Sequence, residues 1–448
     1  MKKSIFVVIA ILLTVSSYAQ TKLTLDDAIK IALQKNPTLT KLKNNLANSE
    51  AQVKGAYGDL LPSLGAQTSF NWSRTEDSGV QLRDFFGNVT STEKQTTESR
   101  YYNLQVGGNF TLFDGLANIA NISQQKHNLK AAEYNISKIK QNIVFQTTDL
   151  FYLVLNSEEL MKVREENLKY FQKFYETVNE RNKLGAVTLA DVYAAQVQLG
   201  NAELNLIQAQ NQYETAKSNF LNYLALNVLQ DYTLVDPFAK DKSIDTDSYM
   251  KNFESIQNLV NVALDTRFDY KSQKSLLSAA EQGVTIAQGG VLPQLTGNYG
   301  FSTSSTEPSN LFKRNNYNIG LTLGIPIFSN FRVENQIQAA KINEMNQNED
   351  LLALERQIKI EVKQGLNDLT ASKKSLDVAI KNSNYAEENR KINQERYNLG
   401  SATILEVLQA NRDYIDALRN KINSIYDFYR QYDKLNNAIG RLDFSKFE

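Results

Sequence analysis

A short segment that occurs twice in the chain contains the residues whose types and spacing suggest a function. Residues 181–192 read RNKLGAVTLADV, and residues 396–407 read RYNLGSATILEV. Each copy has a glycine, a threonine three residues later and an acid three residues after that: Gly185, Thr188 and Asp191 in the first copy, and Gly400, Thr403 and Glu406 in the second. A threonine three residues before an acid has the spacing of a helix capping box, and glycine favours the left-handed backbone of a tight turn. The repeated segment therefore predicts a tight turn followed by a capped helix.

The sequence lacks the motifs that usually mark an enzyme. His127 is the single histidine, cysteine is absent, and neither a nucleophile elbow nor a glycine-rich phosphate loop occurs. His127 falls on the polar face of a predicted helix, which favours a surface position over a role as ligand or base. The absence of cysteine also excludes disulfides and a lipidated N-terminal cysteine. We therefore predict that the protein is not an enzyme and uses no cofactor or metal.

The first twenty residues have the three regions of a secretory signal peptide. Two lysines precede an apolar run at 5–15, and small residues follow it. The run is shorter than the roughly 20 residues that a helix needs to cross a bilayer. We expect cleavage near Ala19 or Gln20 and export of the mature chain.

The charges and hydropathy of the remaining chain limit where it can act. The full sequence has 49 basic and 49 acidic residues, so nucleic-acid binding has no electrostatic support. No later segment is a continuous apolar span, and a transmembrane helix is therefore not predicted. Such a chain can enter a membrane only as strands of a closed barrel.

The repeated segment belongs to a duplication that sets the architecture. Its two copies lie 215 residues apart, and the same offset relates Leu-Phe-Asp-Gly at 112–115 to Ile-Phe-Ser-Asn at 327–330. Leu-Pro at 61–62 recurs at 292–293 with an offset of 231. The first copy therefore has 16 additional residues between these landmarks, which we assign to the polar stretch at 73–100. We predict that residues 73–99 form an exposed outer loop. The predicted domains are a signal peptide at 1–20, a first repeat at 21–229, an equatorial linker at 230–251, a second repeat at 252–440 and a tail at 441–448.

Each repeat is predicted to contain a helix, two strands, a very long helix, a tight turn and a return helix. Apolar residues recur every seven positions from Ile122 to Leu150, and a second series three positions further on includes Leu153 and Leu160. The same spacing returns from Val192 to Phe220, and such repeats are typical of coiled coils. At about 1.5 Å per residue, each long helix would extend on the order of 100 Å. The first repeat has predicted strands at 63–72 and 101–112, a long helix at 115–182 and a return helix at 188–226. The second has predicted strands at 294–302 and 316–327, a long helix at 330–397 and a return helix at 403–440.

The predicted strands have the alternation of membrane strands. Apolar and polar residues alternate in segments of about ten residues, which is typical of outer-membrane barrels, and the aromatic residues Trp72, Phe113 and Phe328 stand at positions that suit the membrane interface. An ordinary half-buried sheet is the alternative, but the surrounding chain supplies no globular core to cover it. Four strands cannot close a barrel, and open edges are not tolerated in lipid. The chain is therefore predicted to oligomerise, with two, three or four subunits allowed.

Taken together, these motifs resemble the TolC outer-membrane efflux duct family along nearly all of the predicted mature chain. The shared motifs are the duplicated Arg-x-x-x-Gly turn with its Thr-x-x-acid helix start, Leu-Pro before the strands and Leu-Phe-Asp-Gly after them. The resemblance implies a mostly α-helical fold with membrane β-structure. In that fold, duplicated long helical hairpins form an α-barrel, and four strands per chain contribute to a trimeric 12-stranded outer-membrane β-barrel.

The resemblance also implies a function and partners. The chain would be the outer-membrane duct of a tripartite efflux or type I secretion system, located in the outer membrane and extending into the periplasm. Its partners would be two further copies of itself, a periplasmic adaptor (membrane fusion) protein, an inner-membrane transporter of the RND or ABC type, and outer-membrane lipid, without nucleic acid or cofactor. A trimeric coiled-coil adhesin, or a structural outer-membrane protein with a barrel anchor, is the alternative. Drugs, metals and proteins stay equally open as substrates.

The same resemblance assigns roles at the predicted periplasmic gate. Glu406 matches the position of a first acidic ring in the lumen, and Gln409 stands where many relatives carry a second acid. Tyr397 and Asp191 match a tyrosine and an aspartate that link neighbouring helices in the closed state. Ala402 replaces an arginine of the best-known members. Helix capping and an ion-filter role stay open together for the acids, because one carboxylate can cap a helix and still line a pore.

Overall fold

The computed structural model describes residues 21–79, 81–91, 93–237, 245–253 and 255–447. The predicted signal peptide and the central part of the predicted linker lie outside these residues. Within the described ranges, no helix combines the length and the apolar character needed to cross a membrane.

Long helices make up most of the described chain. The helices are α1 Leu25–Lys35, α2 Pro37–Gly58, α3 Ala117–Lys183, α4 Leu189–Tyr223, α5 Thr246–Met250, α6 Ile256–Thr266, α7 Phe268–Gly289, α8 Arg332–Asn398 and α9 Ile404–Ala438. The strands are β1 Thr21–Leu23, β2 Gly65–Asp77, β3 Gln81–Arg83, β4 Val89–Ser91, β5 Gln95–Phe113, β6 Tyr232–Leu234, β7 Gln294–Ser305 and β8 Asn315–Gly324. Short 3₁₀ turns lie at Lys251–Phe253, Pro308–Asn310 and Ser445–Phe447.

Equivalent helices of the two copies have identical lengths at the offsets found in the sequence. α3 and α8 have 67 residues each, and α4 and α9 have 35 each, all displaced by 215 positions. α1 and α6 have 11 residues, and α2 and α7 have 22, displaced by 231. The left-handed residues also pair at 215: Gly115 with Asn330, Leu116 with Phe331, Gly185 with Gly400, and Ala225 with Gly440. The duplication therefore extends to the backbone conformation of the turns.

The chain forms two compact units. The first consists of the described residues of Met1–Lys43, Ile136–Phe268 and Glu355–Glu448. It contains the turn between α3 and α4, the turn between α8 and α9, and a short parallel pair of β1 with β6. The second consists of Asn44–Asn135 and Asp269–Leu354 and contains the large sheet.

The predicted apolar seam of the return helix α4 is buried or half-buried along its length, whereas the seam of α3 is interrupted by an exposed position. On α4, Val192, Ala195, Ala202 and Phe220 are each at most 6% exposed. On α3, Leu153 is 41% exposed, and the adjacent positions 151, 154 and 155 are buried instead. A strict seven-residue stripe drifts by about 20° per heptad around a straight helix of 3.6 residues per turn. The heptad assignment was therefore wrong at Leu153.

The large sheet is antiparallel with the order β2-β5-β7-β8. Its register places Val106, Phe301 and Tyr317 side by side on β5, β7 and β8. Phe70 faces Tyr102 across β2 and β5, with ring centroids 4.8 Å apart. Because every second residue of a strand points to the same face, the apolar positions of all four strands share one face of the sheet.

The strand bounds differ from the predicted ones at both ends of the sheet. β2 continues to Asp77 and β5 begins at Gln95, so part of the predicted loop at 73–99 is a paired hairpin. Arg74 faces Glu98 there, and such polar cross-strand pairs stabilise a solvated hairpin without an apolar stripe. β8 ends at Gly324 before the predicted limit of 327, because Pro326 cannot donate a ladder hydrogen bond. Within the predicted linker, β6 and α5 are regular structure.

Candidate functional site

The two helical turns have the same backbone hydrogen bonds. In the first, the N–H groups of Gly185 and Ala186 donate to the carbonyls of Asn182 and Arg181, both at 2.8 Å. The equivalent bonds of the second turn run from positions 400 and 401 to 397 and 396, at 3.0 and 2.8 Å. Gly185 and Gly400 have φ angles of 74° and 75°, where an L side chain is strained. Each turn is thus a glycine-terminated helix end of the kind the sequence predicted.

Both capping boxes are formed at the helix starts after the turns. The backbone N–H and hydroxyl of Thr188 donate to Asp191 Oδ2 at 2.9 and 2.7 Å. Those of Thr403 donate to Glu406 Oε2 at 2.6 and 2.9 Å. In return, the N–H groups of Asp191 and Glu406 each donate to the threonine hydroxyl at 3.3 Å. One oxygen of each acid therefore has a structural role at the start of α4 or α9.

Glu406 keeps its second oxygen accessible. Its Oε1 lies 3.5 Å from Arg396 Nη1, and the side chain is 42% exposed. The backbone N–H of Thr403, and then its hydroxyl, hold the pKa of the Glu406 carboxyl below its usual range. The group is therefore an anion at neutral pH that can also meet ions in solution.

Gln409 lies one turn further along α9 beside an acid that the sequence analysis did not assign. Gln409 Nε2 donates to Asp413 Oδ1 at 2.7 Å, and Arg412 donates to the Gln409 side-chain carbonyl. Glu406, Gln409, Asp413 and Asp416 line one open cavity of about 770 Å³ along α9. The four-residue spacing of Gln409 and Asp413 on a helix was the sequence signal that could have indicated this neighbour.

Tyr397 is buried at the end of α8 and is 5% exposed. Its hydroxyl has no hydrogen-bond partner among the described residues. Burial raises the pKa of the Tyr397 phenol, while the nearby guanidinium of Arg181 acts in the opposite direction. Arg181 lies over the Tyr397 ring at 4.9 Å, and its Nη1 donates to the Tyr397 carbonyl at 3.1 Å. This contact joins residues 216 positions apart, and no local sequence pattern predicts it.

An apolar cluster supports the two turns from within the same unit. Its buried members come from α3, α4, α8 and α9: Phe171, Phe174, Val178, Val192, Ala195, Ala202, Tyr397 and Val407. Phe174 and Tyr397 lie with ring centroids 5.8 Å apart. Ala402 packs against the cluster as a partly buried small residue. The cluster thus holds Tyr397 and the helix starts that carry Asp191 and Glu406.

The predicted interface aromatics lie in the other unit, at the sheet. Trp72 faces Arg100 near the outer part of the β2–β5 hairpin, and Phe113 is the last residue of β5. Phe328 follows β8, with its ring centroid 5.5 Å from that of Phe331. Trp72, Phe113 and Phe328 are 55%, 42% and 67% exposed, respectively, so their rings are free to meet an apolar environment. In the part of the chain that the structure describes, no group of three or more His, Cys, Asp or Glu residues is placed to hold a metal ion.

Comparison with known proteins gives one family over most of the chain. The family described as "Outer membrane efflux protein" matches residues 28–225 and 259–441. Outer membrane protein TolC of Escherichia coli (strain K12) is 22% identical over 433 residues, covering 91% of this chain and 80% of that protein.

Two solved structures resemble the chain in fold. CusC superposes with a TM-score of 0.78 at 18% identity, covering 93% of this chain and 92% of CusC. VceC from Vibrio cholerae superposes with a TM-score of 0.76 at 19% identity, covering 93% of this chain and 96% of VceC. The chain therefore shares the fold of these proteins.

Proposed function

This chain belongs to the outer membrane efflux protein family, and we propose that it is the outer-membrane duct of a tripartite efflux or type I secretion system. The family match over residues 28–225 and 259–441 is the observation that carries the proposal. In this role the duct receives substrate from a pump complex that spans the periplasm and releases it outside the cell.

The sheet supports assembly of the duct as a homotrimer. β2 and β8 are the edge strands, and neither has a second strand partner among the described residues. On β8, Tyr317, Ile319, Leu321 and Leu323 are 60–84% exposed, which suits a lipid-facing surface. Unpaired strand edges are costly in lipid, so β8 of one copy would pair with β2 of the next. Three copies of the four-stranded sheet would close a barrel of twelve strands.

The partners follow from the proposed role. A periplasmic adaptor protein would hold the duct to an inner-membrane transporter of the RND or ABC type. Trp72, Phe113 and Phe328 would lie at the membrane interface, where aromatic side chains are favoured. The trimeric adhesin, which was the alternative from sequence, is less suitable because its single terminal anchor does not account for a strand pair inside each of two helical hairpins.

The two helical turns would form the periplasmic gate. In a trimer, three Glu406 carboxylates facing the lumen would form a ring that attracts cations, since converging charge in a narrow pore is poorly screened. Gln409 would contribute no charge to a second ring, but Asp413 lies against it at 2.7 Å and would supply one. Asp191 and Tyr397 would position the neighbouring helix ends.

An export assay in a strain that lacks the gene tests the proposed function. We expect the deletion strain to accumulate at least one of three probes, a fluorescent dye, a toxic metal ion or a secreted protein, and a plasmid copy to restore export. Leakage of a periplasmic enzyme into the medium is the control for membrane damage. Export of all three classes at the wild-type rate by the deletion strain would contradict the proposal.

A further inference from the structure

The duplicated arginine of the turn motif has different partners in the two copies. Arg396 donates to the Ser401 carbonyl and to Asn393 Oδ1, both at 3.2 Å. These contacts stay within the helical hairpin formed by α8 and α9. Arg181 occupies the equivalent position on α3, but it reaches the other hairpin and contacts Tyr397. Equivalent residues of a duplication that differ in their partners are candidates for separate roles.

Arg181 contacts both the aromatic ring and the backbone carbonyl of Tyr397. The guanidinium lies over the aromatic ring at 4.9 Å, and Nη1 donates to the carbonyl at 3.1 Å. This carbonyl belongs to the last turn of α8, where the helix dipole favours a cation. A planar guanidinium can stack and donate simultaneously, which an ammonium group cannot do. The Tyr397 hydroxyl takes no part, because it has no hydrogen-bond partner among the described residues.

The Arg181–Tyr397 contact is a polar link between the α3–α4 and α8–α9 helical hairpins, and it lies within an apolar cluster. Tyr397 packs on Phe174 of α3, and Ala402 offers only a methyl group at the second turn. The Asp191 carboxylate is engaged by Thr188 at the start of α4. Tyr170 and Gln394, whose side chains bond at 2.7 Å, form a second polar link between α3 and α8 about three helical turns away from Arg181 along α3.

We propose that Arg181 is the positioning residue that holds the end of α8 against α3 and so keeps the gate closed. This inference rests on the proposed function, because a gate exists only if the chain forms a duct. Arg181 of the α3–α4 hairpin would thus provide a polar contact between the hairpins, which the methyl side chain of Ala402 in the α8–α9 hairpin cannot provide.

Single-channel recording of the purified protein in planar bilayers tests the proposal. We expect Arg181→Gln to raise the ratio of open to closed time roughly tenfold, as for loss of one cation–π contact and one charge-assisted hydrogen bond. Arg181→Lys keeps the charge but not the planar fork, and it should give an intermediate ratio. Lys183→Gln is the matched control, because it removes a positive charge from the same helical turn. Lys183 is 61% exposed and pairs only with Glu180 of its own helix in the described contacts.

A double-mutant cycle separates the contact from a general loss of packing. Tyr397→Leu should also open the channel, and the Arg181→Gln/Tyr397→Leu double variant should open it no further than the stronger single variant. Additive effects of the two substitutions, or gating by Arg181→Gln that equals wild type, would overturn the proposed tie. A wild-type protein that forms no channel would instead contradict the duct function itself, and the tie with it.

Discussion

The two carboxylate oxygens of Glu406 have different surroundings, so its role as a helix cap can be tested separately from its proposed role in ion selection. Oε2 accepts both hydrogen bonds from Thr403, whereas Oε1 faces Arg396 and solvent. A glutamine at this position retains an oxygen for the cap but loses the charge. The substitution therefore distinguishes helix capping from ion selection.

We predict that Glu406→Gln lowers the cation preference of the channel and weakens its block by divalent ions. The physical reason is the loss of one negative charge per subunit from a narrow lumen. The reversal potential under a salt gradient in planar bilayers measures the effect. Glu180→Gln is the control, since it removes a carboxylate that pairs with Lys183 on α3. Unchanged selectivity and block in Glu406→Gln would show that the residue is only a cap.

The carboxyl of Asp433 makes the stability of the fold depend on pH. Burial raises the pKa of the Asp433 carboxyl to about 7, a hydrogen bond with Tyr152 partly offsets this, and the charge of Asp149 adds to it. A carboxyl whose folded pKa lies above its usual value stabilises the fold when protonated. That stabilisation is complete below about pH 4 and is lost as the pH rises to about 7.

We therefore predict that Asp433→Asn raises the melting temperature at pH 8 and has little effect at pH 4. Thermal unfolding of the detergent-solubilised protein, followed by circular dichroism, measures the difference. The exposed Asp377 is the site of the matched control, Asp377→Asn. Equal melting shifts for Asp433→Asn at both pH values would contradict the assignment.

The sequence predicted the residues of the turns better than their partners. Thr188 with Asp191 and Thr403 with Glu406 are local pairs, so their spacing alone predicted the caps. Arg181 and Tyr397 meet only after two hairpins pack together, and no local pattern encodes that meeting. The raised pKa of Asp433 likewise comes first from burial in the folded protein, and a hydrogen bond with Tyr152 of another helix partly offsets it.

At the scale of elements, the left-handed turn positions test the duplication. Ala225 and Gly440 end the return helices of the two copies, with φ angles of 52° and 72°. A methyl group on Gly440 would lie 2.8 Å from Thr266 Oγ1, whereas one on Gly185 would meet nothing within 4 Å. Gly185 and Gly440 thus both adopt a left-handed backbone, but only Gly440 is packed closely against another part of the chain.

We predict that Gly185→Ala costs about 1 kcal/mol of folding stability, from backbone strain alone. Gly440→Ala should cost more, because the added methyl group also clashes with α6. Ala225→Gly should be neutral or stabilising by up to about 1 kcal/mol. Chemical denaturation of the three variants in detergent gives these differences. Equal losses for Gly185→Ala and Gly440→Ala would contradict the packing at Gly440.

The β2–β5 hairpin gives the second prediction at this scale. Its strands extend to the Asp77–Gln95 pair, beyond the apolar part of the sheet, and then lead to a second small hairpin of β3 and β4. We predict that an epitope inserted near Ser78 is detected by antibody on intact cells, since this polar hairpin would project from the outer surface. Detection only after disruption of the outer membrane would reverse the assigned orientation. An epitope at the predicted periplasmic turn, next to Gly185, is the control for membrane integrity.

Element positions were predicted well wherever the apolar period was regular. The lengths of α3 and α8, and the offsets of 215 and 231, follow from motifs visible in the sequence. The hairpin at 73–99 was misassigned as loop because its strands are solvated on both faces and so lack alternation. The apolar stripe predicted for α3 was wrong at Leu153, because positions seven residues apart drift around a helix of 3.6 residues per turn.

The proposed assembly of the whole molecule rests on two surfaces that one chain leaves uncovered. The large sheet has unpaired edges at β2 and β8 among the described residues, and an exposed apolar face. Unpaired strand edges are costly in lipid, and an exposed apolar face is costly in water. Pairing of β8 of one copy with β2 of the next around a closed ring would remove the first cost, and lipid or detergent would cover the apolar face.

The mass of the purified protein in detergent, measured by native mass spectrometry, is the most direct test of the proposed trimeric duct. The proposed duct requires that β8 of each copy pairs with β2 of the next, and three copies close the ring. We predict that the dominant particle contains three chains and that breaking the edge pairing, with Leu321→Pro in β8, abolishes it. A dominant particle of one, two or four chains in the wild-type protein would contradict the account.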